Sequence, residues 1–211
     1  MPARRNSSDL QDSRQSSLFS FAEAPPVLPP GMVYQPGFLT AAEERHWLAV
    51  VAALPLVEAQ YKSFVARRRV VAYGGSFDYD SNRLLPAEPL PEVLEPLRHR
   101  VAGWLRVAPD RLVHALVAEY RPGTPLGWHR DVPDFELIAG VSLGAPAVLR
   151  LRPYRPEGAP GEPRRADIRQ LEVAPRSIYR MAGEARWGWQ HSVAPTPAQR
   201  WSVTFRTAAV R

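Results

Sequence analysis

The chain has 211 residues, 45% of them hydrophobic, and a formal net charge of +6. This length suits one domain with a sizeable core, and no apolar run approaches the roughly 20 residues needed to span a bilayer. The sequence contains no cysteine, which excludes disulfides, zinc-thiolate sites and cysteine nucleophiles and leaves the cytoplasm as the expected compartment.

The positive charge comes almost entirely from arginine, since Lys62 is the only lysine. A guanidinium matches the geometry of phosphate oxygens and stacks on bases, so this balance favours a nucleic-acid partner. The same composition is typical of a GC-rich genome, whose codons favour Arg, Ala and Pro. Charge alone leaves both interpretations open.

Residues 1–26 are rich in Ser, Arg, Gln and Asp and show no sustained period. They lack the apolar segment of a signal peptide. We predict a disordered leader, with the folded domain occupying residues 27–211. In an alternative role, Arg4, Arg5 and Arg14 add non-specific attraction to a polyanion.

Two helical patterns occur in the first half of the domain. Thr40 followed by Glu43 is typical of a capping box, and apolar residues then recur at helical spacing until Pro55. A second pattern runs over residues 91–105, with Pro96 inside it. This proline marks either a kink or a late helix start.

The segment between these helices, residues 67–80, combines a run of arginines with aromatic residues. Arg67 and Arg69 could bind phosphates, and Tyr73 could stack on a base. Alternatively, the segment is a strand and turn with a solvated charge cluster and core aromatics. Composition alone favours this second interpretation.

From Leu112 onward, short apolar or alternating runs are separated by turn signals. This texture predicts a mainly β fold, a sandwich or jelly roll, with two helices packed on it. The Pro-, Gly- and Arg-rich residues 153–166 predict a surface loop. Strands are predicted at residues 112–120, around His129, at residues 138–143, 148–151, 171–173 and 177–181, around His191, and at residues 200–206.

His129 and Asp131 are separated by one residue, so in an extended strand their side chains share a face. A distant third ligand such as His191 would complete a set of two histidines and one carboxylate. This set is the facial triad of non-haem iron oxygenases. A lone His-x-Asp is also common as a hydrogen-bonded pair in a strand, so the motif needs support from the rest of the chain.

The predicted last strand places Arg200, Ser202, Thr204 and Arg206 on one face and apolar residues on the other. Two inward arginines would be costly to bury without an anionic partner. A dicarboxylate cofactor could supply that partner through bidentate hydrogen bonds. Alternatively, this polar face looks to water.

Taken together, these two motifs resemble the AlkB family of iron- and 2-oxoglutarate-dependent dioxygenases, because their joint spacing is far more specific than either motif alone. The resemblance covers residues 112–207 and extends more loosely upstream to residues 73–79. It is carried by His129, Asp131, His191, Arg200 and Arg206, together with residues 118–123, 141–144, 181–183 and 204–206.

The resemblance implies a jelly-roll catalytic core in residues 111–211, preceded by helical support and a nucleotide-recognition lid in residues 27–110. Fe(II), 2-oxoglutarate and O2 are the implied cofactor and co-substrates. Arg200 would bind the distal carboxylate of 2-oxoglutarate, and Arg206 would lie near the carboxylate beside the metal. The implied ligands are His129, Asp131 and His191 for the metal, and Tyr120, Arg200, Ser202 and Arg206 for 2-oxoglutarate.

Three positions depart from the family pattern. Ala118 and Ser202 stand where asparagines are usual, and Pro133 replaces an acidic residue of some DNA-repair members. Asp134 or Glu136 could substitute for that acidic residue, and alternatively each lies in a solvated loop. Trp128 could line the pocket or pack in the core. The substrate contacts expected from the resemblance are Arg67, Arg69, Tyr73, Trp128 and Asp134.

The resulting hypothesis is a monomeric enzyme, without a membrane partner, that oxidatively removes alkyl groups from damaged bases in DNA or RNA. A second hypothesis is a hydroxylase or demethylase of a modified tRNA nucleoside or a protein side chain, because residues 183–186 resemble a segment of some tRNA-hydroxylase members. A third, from another class, is a cupin-like nucleic-acid-binding module without turnover.

Overall fold

The computed structural model describes residues 27–61, 64–78, 83–156 and 165–210. The predicted leader and much of the predicted loop over residues 153–166 lie outside these ranges. No helix within the described ranges has the length and apolar character needed to traverse a membrane.

The described residues form mainly β structure with few helices, as the sequence predicts. The helices are α1 (Ala41–Ala52), α2 (Glu95–Leu105) and α3 (Gly183–Trp187). The strands are β1 (Met32–Gln35), β2 (Val57–Tyr61), β3 (Phe64–Tyr73), β4 (Ser76–Asp78), β5 (Arg83–Leu85), β6 (Leu112–Tyr120), β7 (Leu126–His129), β8 (Phe135–Gly144), β9 (Ala147–Pro153), β10 (Arg169–Val173), β11 (Ile178–Met181), β12 (Trp189–Val193) and β13 (Arg200–Ala208).

Two antiparallel sheets carry the fold. The larger has the strand order β1-β11-β8-β13-β6-β3-β2, and the smaller has the order β10-β9-β12-β7. One apolar cluster joins residues of both sheets, among them Tyr120 and Leu151. A second cluster joins the other face of the large sheet to α1 and α2, through residues such as Phe205, Val51 and Leu97. The large sheet is therefore covered on both faces, as the predicted jelly roll with flanking helices requires.

The helix starts follow the local sequence. The Thr40 hydroxyl accepts from the Glu43 amide at 3.2 Å, and the Glu43 carboxylate accepts from the Thr40 amide at 2.7 Å, which is the predicted capping box. In the second pattern a 3-10 turn over Glu92–Leu94 precedes α2, and Pro96 lies in the first turn of the α-helix. Pro96 thus marks a late start rather than a kink, because a proline in the first turn removes no intrahelical hydrogen bond.

The segment before residue 111 forms part of the large sheet. Strand β1 pairs with β11, and β3 pairs with β6, so the first half of the domain supplies three strands of the large sheet. The arginine run of the predicted lid lies in β3 and is therefore held in register beside the central strands.

Candidate metal centre and cofactor pocket

Three side chains converge at the edge of the small sheet. His129 ends β7 and lies directly opposite His191 of β12, with the ring centroids 4.1 Å apart. Asp131 follows β7, and one ligand atom from each of the three residues lies within 4.8 Å of the others. The extended strand predicted through Asp131 is not observed, because β7 ends at His129. The segment that follows β7 nevertheless brings the Asp131 carboxylate close to the two imidazoles.

Hydrogen bonds orient two of these side chains. His129 Nδ1 lies 2.9 Å from the Gly127 carbonyl oxygen, so a proton on Nδ1 leaves Nε2 free as a metal ligand. Asp131 Oδ1 accepts from Arg206 Nε at 3.0 Å and from Arg206 Nη2 at 2.7 Å. The other oxygen, Oδ2, lies 3.6 Å from His191 Nε2. One carboxylate oxygen is thus held by arginine, and the second faces the histidines.

Burial and charge set the protonation states that metal binding requires. Burial lowers the pKa of both histidines, to about 3 for His191, so both imidazoles are neutral near pH 7. Burial opposes ionisation of Asp131, but the charge of Arg206, joined at low pH by those of the protonated His191 and His129, brings its pKa well below the usual range. Two neutral imidazoles and one carboxylate are the donor forms that a divalent metal binds.

The loop that carries Asp131 is braced by Arg186 of α3, a residue that is 3% exposed. Its guanidinium donates to the carbonyl oxygens of Val132 at 2.6 Å, Phe135 at 3.1 Å and Asp131 at 3.2 Å. Main-chain oxygens rather than a carboxylate therefore accept from this buried arginine. The bracing fixes the path of the chain between β7 and β8.

The polar face of β13 is buried, which excludes the predicted alternative that it looks to water. Arg200 is 3% exposed and Arg206 is 7% exposed. Arg200 Nε donates to Ser142 Oγ at 3.2 Å, and its guanidinium lies 5.1 Å from the centre of the Tyr120 ring. Its Nη1 is buried and has no hydrogen-bond partner among the described residues. A buried, unpartnered guanidinium nitrogen fits a carboxylate ligand.

Around Arg200 the pocket is lined by small and aromatic side chains. Ser202 is buried opposite Ala118 of β6, so these two departures from the family pattern are cross-strand neighbours. Tyr179 lies against Gly140, where any Cβ would come within 2.4 Å of the tyrosine ring. Burial raises the pKa of Tyr179 to about 12, which keeps the phenol protonated. The sequence reasoning missed Tyr179, although a glycine in the middle of a strand signals a close approach.

His114 is a second residue that sequence reasoning missed, because no partner stands at ligand spacing in the chain. It lies in β6, 7% exposed, and its Nδ1 is 3.2 Å from Arg206 Nη1. Burial, assisted by the charge of Arg206, lowers its pKa to about 3. The neutral imidazole therefore accepts from the same arginine that holds Asp131.

The structure separates the expected substrate contacts from the metal centre. Tyr73 belongs to the helix-side core, and Arg69 pairs with the buried Glu119 on that same face of the large sheet. The register of β3 therefore turns both side chains towards the helix layer, on the face of the large sheet opposite the metal centre. The Arg67 side chain, Tyr79 and Asp80 lie outside the described part of the chain.

Trp128 lies on the outer face of the small sheet, and Asp134 lies just before β8. Trp128 alternates with His129 along β7, so it occupies the outer face of the small sheet. There its ring lies under the guanidiniums of Arg150 and Arg152, at 5.3 and 4.5 Å. Asp134 precedes β8, and its main-chain oxygen accepts from Ala209 at 2.8 Å.

Comparison with known protein families identifies a family whose match includes this site. A family model described as the 2OG-Fe(II) oxygenase superfamily matches residues 31–206, which include the metal triad and both arginines of β13. The donor set of two imidazoles and one carboxylate fits Fe(II), and the unpartnered Nη1 of Arg200 fits a carboxylate of 2-oxoglutarate.

Curated relatives and solved structures agree with the family. The tRNA (carboxymethyluridine(34)-5-O)-methyltransferase alkbh8 of Xenopus tropicalis is 30% identical over 178 residues, covering 81% of this chain and 26% of the relative. The Alkylated DNA repair protein ALKBH8 homolog of Arabidopsis thaliana is 29% identical, covering 78% of this chain and 51% of the relative. The chain thus spans between a quarter and a half of the length of these relatives.

The fold has counterparts among solved structures. The structure of OsALKBH1 superimposes with a TM-score of 0.65 at 16% identity, covering 85% of this chain and 98% of that one. A Pseudomonas putida prolyl-4-hydroxylase superimposes with a TM-score of 0.56 at 17% identity, covering 86% and 94%. The chain therefore belongs to the 2OG-Fe(II) oxygenase superfamily, whose cofactor and co-substrates are Fe(II), 2-oxoglutarate and O2, and it is similar to AlkB-like members of that superfamily.

Proposed function

We propose that this protein oxidises an alkyl group on a nucleic-acid base and thereby removes it from damaged DNA or RNA. The observation that carries the proposal is the convergence of the metal triad with the buried guanidinium of Arg200, which has a nitrogen left for a carboxylate. Support for a nucleic-acid substrate comes from the arginine-rich charge and from relatives such as the Probable RNA/DNA demethylase ALKBH6 of Danio rerio, 27% identical over 146 residues.

When bound, Fe(II) with 2-oxoglutarate and O2 supplies decarboxylation to succinate and oxidation of a C–H bond. The protein contributes position and charge. Arg206 keeps Asp131 ionised and oriented, and the Gly127 carbonyl selects the His129 tautomer. Arg200, which lies against the Tyr120 ring, would bind the distal carboxylate. The apolar core between the two sheets keeps water from this end of the pocket.

The site is complete within one chain. The candidate metal ligands His129, Asp131 and His191 and the buried arginines Arg200 and Arg206 all come from the same protomer. We therefore expect a monomer to be active, which sedimentation combined with turnover at nanomolar protein concentration would test.

Anaerobic titration with Fe(II) and then 2-oxoglutarate tests the cofactor site directly. We expect the weak visible charge-transfer band of the chelate in the native protein. His129→Ala should lose the band and succinate formation while retaining the native circular dichroism spectrum. His99→Ala, which alters a 64% exposed side chain, is the matched control and should behave as wild type. A folded native protein without the band would refute the assignment.

A second candidate reaction is hydroxylation of a modified tRNA nucleoside. The relatives named for tRNA modification favour it. A panel of methylated and etheno-modified oligonucleotides, single- and double-stranded, together with modified tRNA, separates the two reactions. Release of formaldehyde indicates dealkylation, because hydroxylation of an N-methyl group gives an unstable product. A hydroxylated product without aldehyde indicates the tRNA reaction.

A binding module without turnover is the remaining alternative. The intact metal triad and the unpartnered Arg200 argue against it, because a module of that kind needs neither. Tight, salt-dependent binding of oligonucleotides with no decarboxylation of 2-oxoglutarate under any condition would support it.

A further inference from the structure

The arginine run of β3 presents neighbouring side chains to opposite faces of the large sheet. Arg69 lies opposite Glu119 of β6, and Val70 lies opposite Ala118. Val70 and Ala118 belong to the core between the two sheets, whereas Arg69 pairs with Glu119 on the helix side. Since side chains alternate along a strand, Arg68 shares the face of Val70 and points towards the metal pocket.

Arg68 has no anionic partner within the described residues. Its Nε is buried without a hydrogen-bond partner, and none of the ion pairs between described residues includes it. The neighbouring Arg69, by contrast, is paired with Glu119. The two adjacent arginines therefore differ in whether the protein itself neutralises them.

The two arginines of β13 already have anionic partners, one in the protein and one expected from the cofactor. Arg206 is bonded to Asp131, and Arg200 lies beside Tyr120 with a free nitrogen for 2-oxoglutarate. A third guanidinium that faces the same pocket, partly withdrawn from water and unpaired, is unfavourable unless a ligand supplies an anion. The ligand not yet accounted for is the substrate.

We propose that Arg68 binds an anionic oxygen group of the substrate and so sets which nucleotides are accepted. This inference rests on the proposed function. The group is either the phosphate that flanks the target nucleotide or a carboxylate carried by the modified base, since a guanidinium binds both through the same fork of N–H donors. Substrates that lack the anion at this position are poor ones.

The adjacent arginines provide a matched test. The probe is a fluorescein-labelled single-stranded tetranucleotide with one base that carries a carboxylate, and its affinity is measured by anisotropy with protein loaded anaerobically with Fe(II) and 2-oxoglutarate. Arg68→Gln should weaken binding about tenfold or more and reduce the dependence of log Kd on log salt by about 0.7, the loss of one contact to a single strand. Arg68→Lys should recover part of the affinity.

Arg69→Lys is the control, because it makes the same conservative change on the opposite face and keeps the charge opposite Glu119. We expect it to bind as wild type. The charge-transfer band of the cofactor complex should be unchanged in all three variants, which separates Arg68 from the residues that hold metal and 2-oxoglutarate.

Two further probes distinguish the sources of the anion. If one neutral methylphosphonate linkage abolishes the difference between wild type and Arg68→Gln, the anion is a phosphate. If the difference persists on that probe but disappears when a base-linked carboxylate is replaced by its amide, the anion is on the base.

Equal affinity of Arg68→Gln and wild type for every probe would overturn the role of Arg68 and leave the proposed function standing. A native protein that shows the cofactor band and binds none of the probes would count against the nucleic-acid substrate, and with it against this role.

Discussion

The two ends of β13 bring buried arginines to the same face of one strand, yet the two side chains have different surroundings. Arg206 donates to Asp131 and contacts His114, so its charge is neutralised inside the protein. Among the described residues, Arg200 donates to the Ser142 hydroxyl and lies against the Tyr120 ring, and its Nη1 is buried without a partner. The metal end of the pocket is therefore preorganised by the protein, whereas the far end keeps a guanidinium nitrogen for the proposed 2-oxoglutarate carboxylate.

The two arginines therefore differ in the free-energy cost of burying their charge. A buried ion pair is stabilised only while both partners are present, so removing one leaves an uncompensated charge. A buried guanidinium without a partner already carries that cost, and a ligand carboxylate relieves it. Substitutions at the two ends should therefore affect different measurements.

The largest effect is expected for Arg206→Gln. Its side chain and that of Asp131 are 8% and 9% exposed, so the variant leaves a buried, unpaired carboxylate and should lose about 3–5 kcal/mol of unfolding free energy. The pKa of Asp131 should rise, and Fe(II) binding should require a higher pH. Urea unfolding and anaerobic Fe(II) titration at several pH values measure both effects. Unchanged stability would mean that the metal end is not organised by this pair.

Arg200→Gln should instead affect the cofactor. We expect the KM for 2-oxoglutarate to rise about 10- to 100-fold, the equivalent of about 1.4–2.8 kcal/mol for a lost charged hydrogen bond. Fe(II) affinity and urea stability should stay near the wild-type values, because Arg200 has no ionic partner in the described part of the chain. A loss of stability as large as that of Arg206→Gln would remove the distinction between the two ends.

The pH dependence of the unfolding free energy tests the environment of His114 at the metal end of the pocket. His114 has a pKa of about 3 in the folded protein against 6.5 in a model peptide, so the unfolded chain binds more protons below pH 6.5. Stability is therefore lost as the pH falls from about 6.5 towards 3, with each such histidine contributing about 1.4 kcal/mol per pH unit. His114→Gln, measured without metal, should reduce this slope by about that amount. An unchanged slope would show that His114 titrates normally.

The smallest effect on stability is expected for a substitution in α1, away from both ends of the pocket. Thr40→Ala removes the side-chain half of the capping box of α1 and should cost about 1 kcal/mol of unfolding free energy. Fe(II) binding and the KM for 2-oxoglutarate should not change, because α1 packs on the opposite face of the large sheet. Urea unfolding and steady-state kinetics measure the two effects. A change in either cofactor parameter would show that the helix layer and the pocket are coupled.

Local sequence patterns predicted those features that depend on neighbouring residues. The capping box at Thr40, the strand over residues 112–120 and the alternation along β13 are all found, because hydrogen bonding within a turn and the two-residue period of a strand are local properties. The spacing of His129, Asp131 and His191 also predicted which side chains meet, although β7 ends before Asp131.

Strand register and long-range packing decided the rest. Residues 67–69 are all arginine, so residue type does not distinguish them. Only the pairing of β3 with β6 determines that Arg69 contacts Glu119 while Arg68 faces the pocket. A shift of one residue would exchange these faces, and nothing within the run itself specifies it.

By itself, therefore, the sequence determined the candidate metal ligands, the polar face of the last strand and the mainly β class, because residue chemistry and local period suffice for these. The tertiary structure alone decided that Arg206 holds Asp131 whereas Arg200 remains open to a ligand, and that Tyr73 belongs to the core. These assignments depend on which strands lie side by side and in which register, and residues distant in the chain set both.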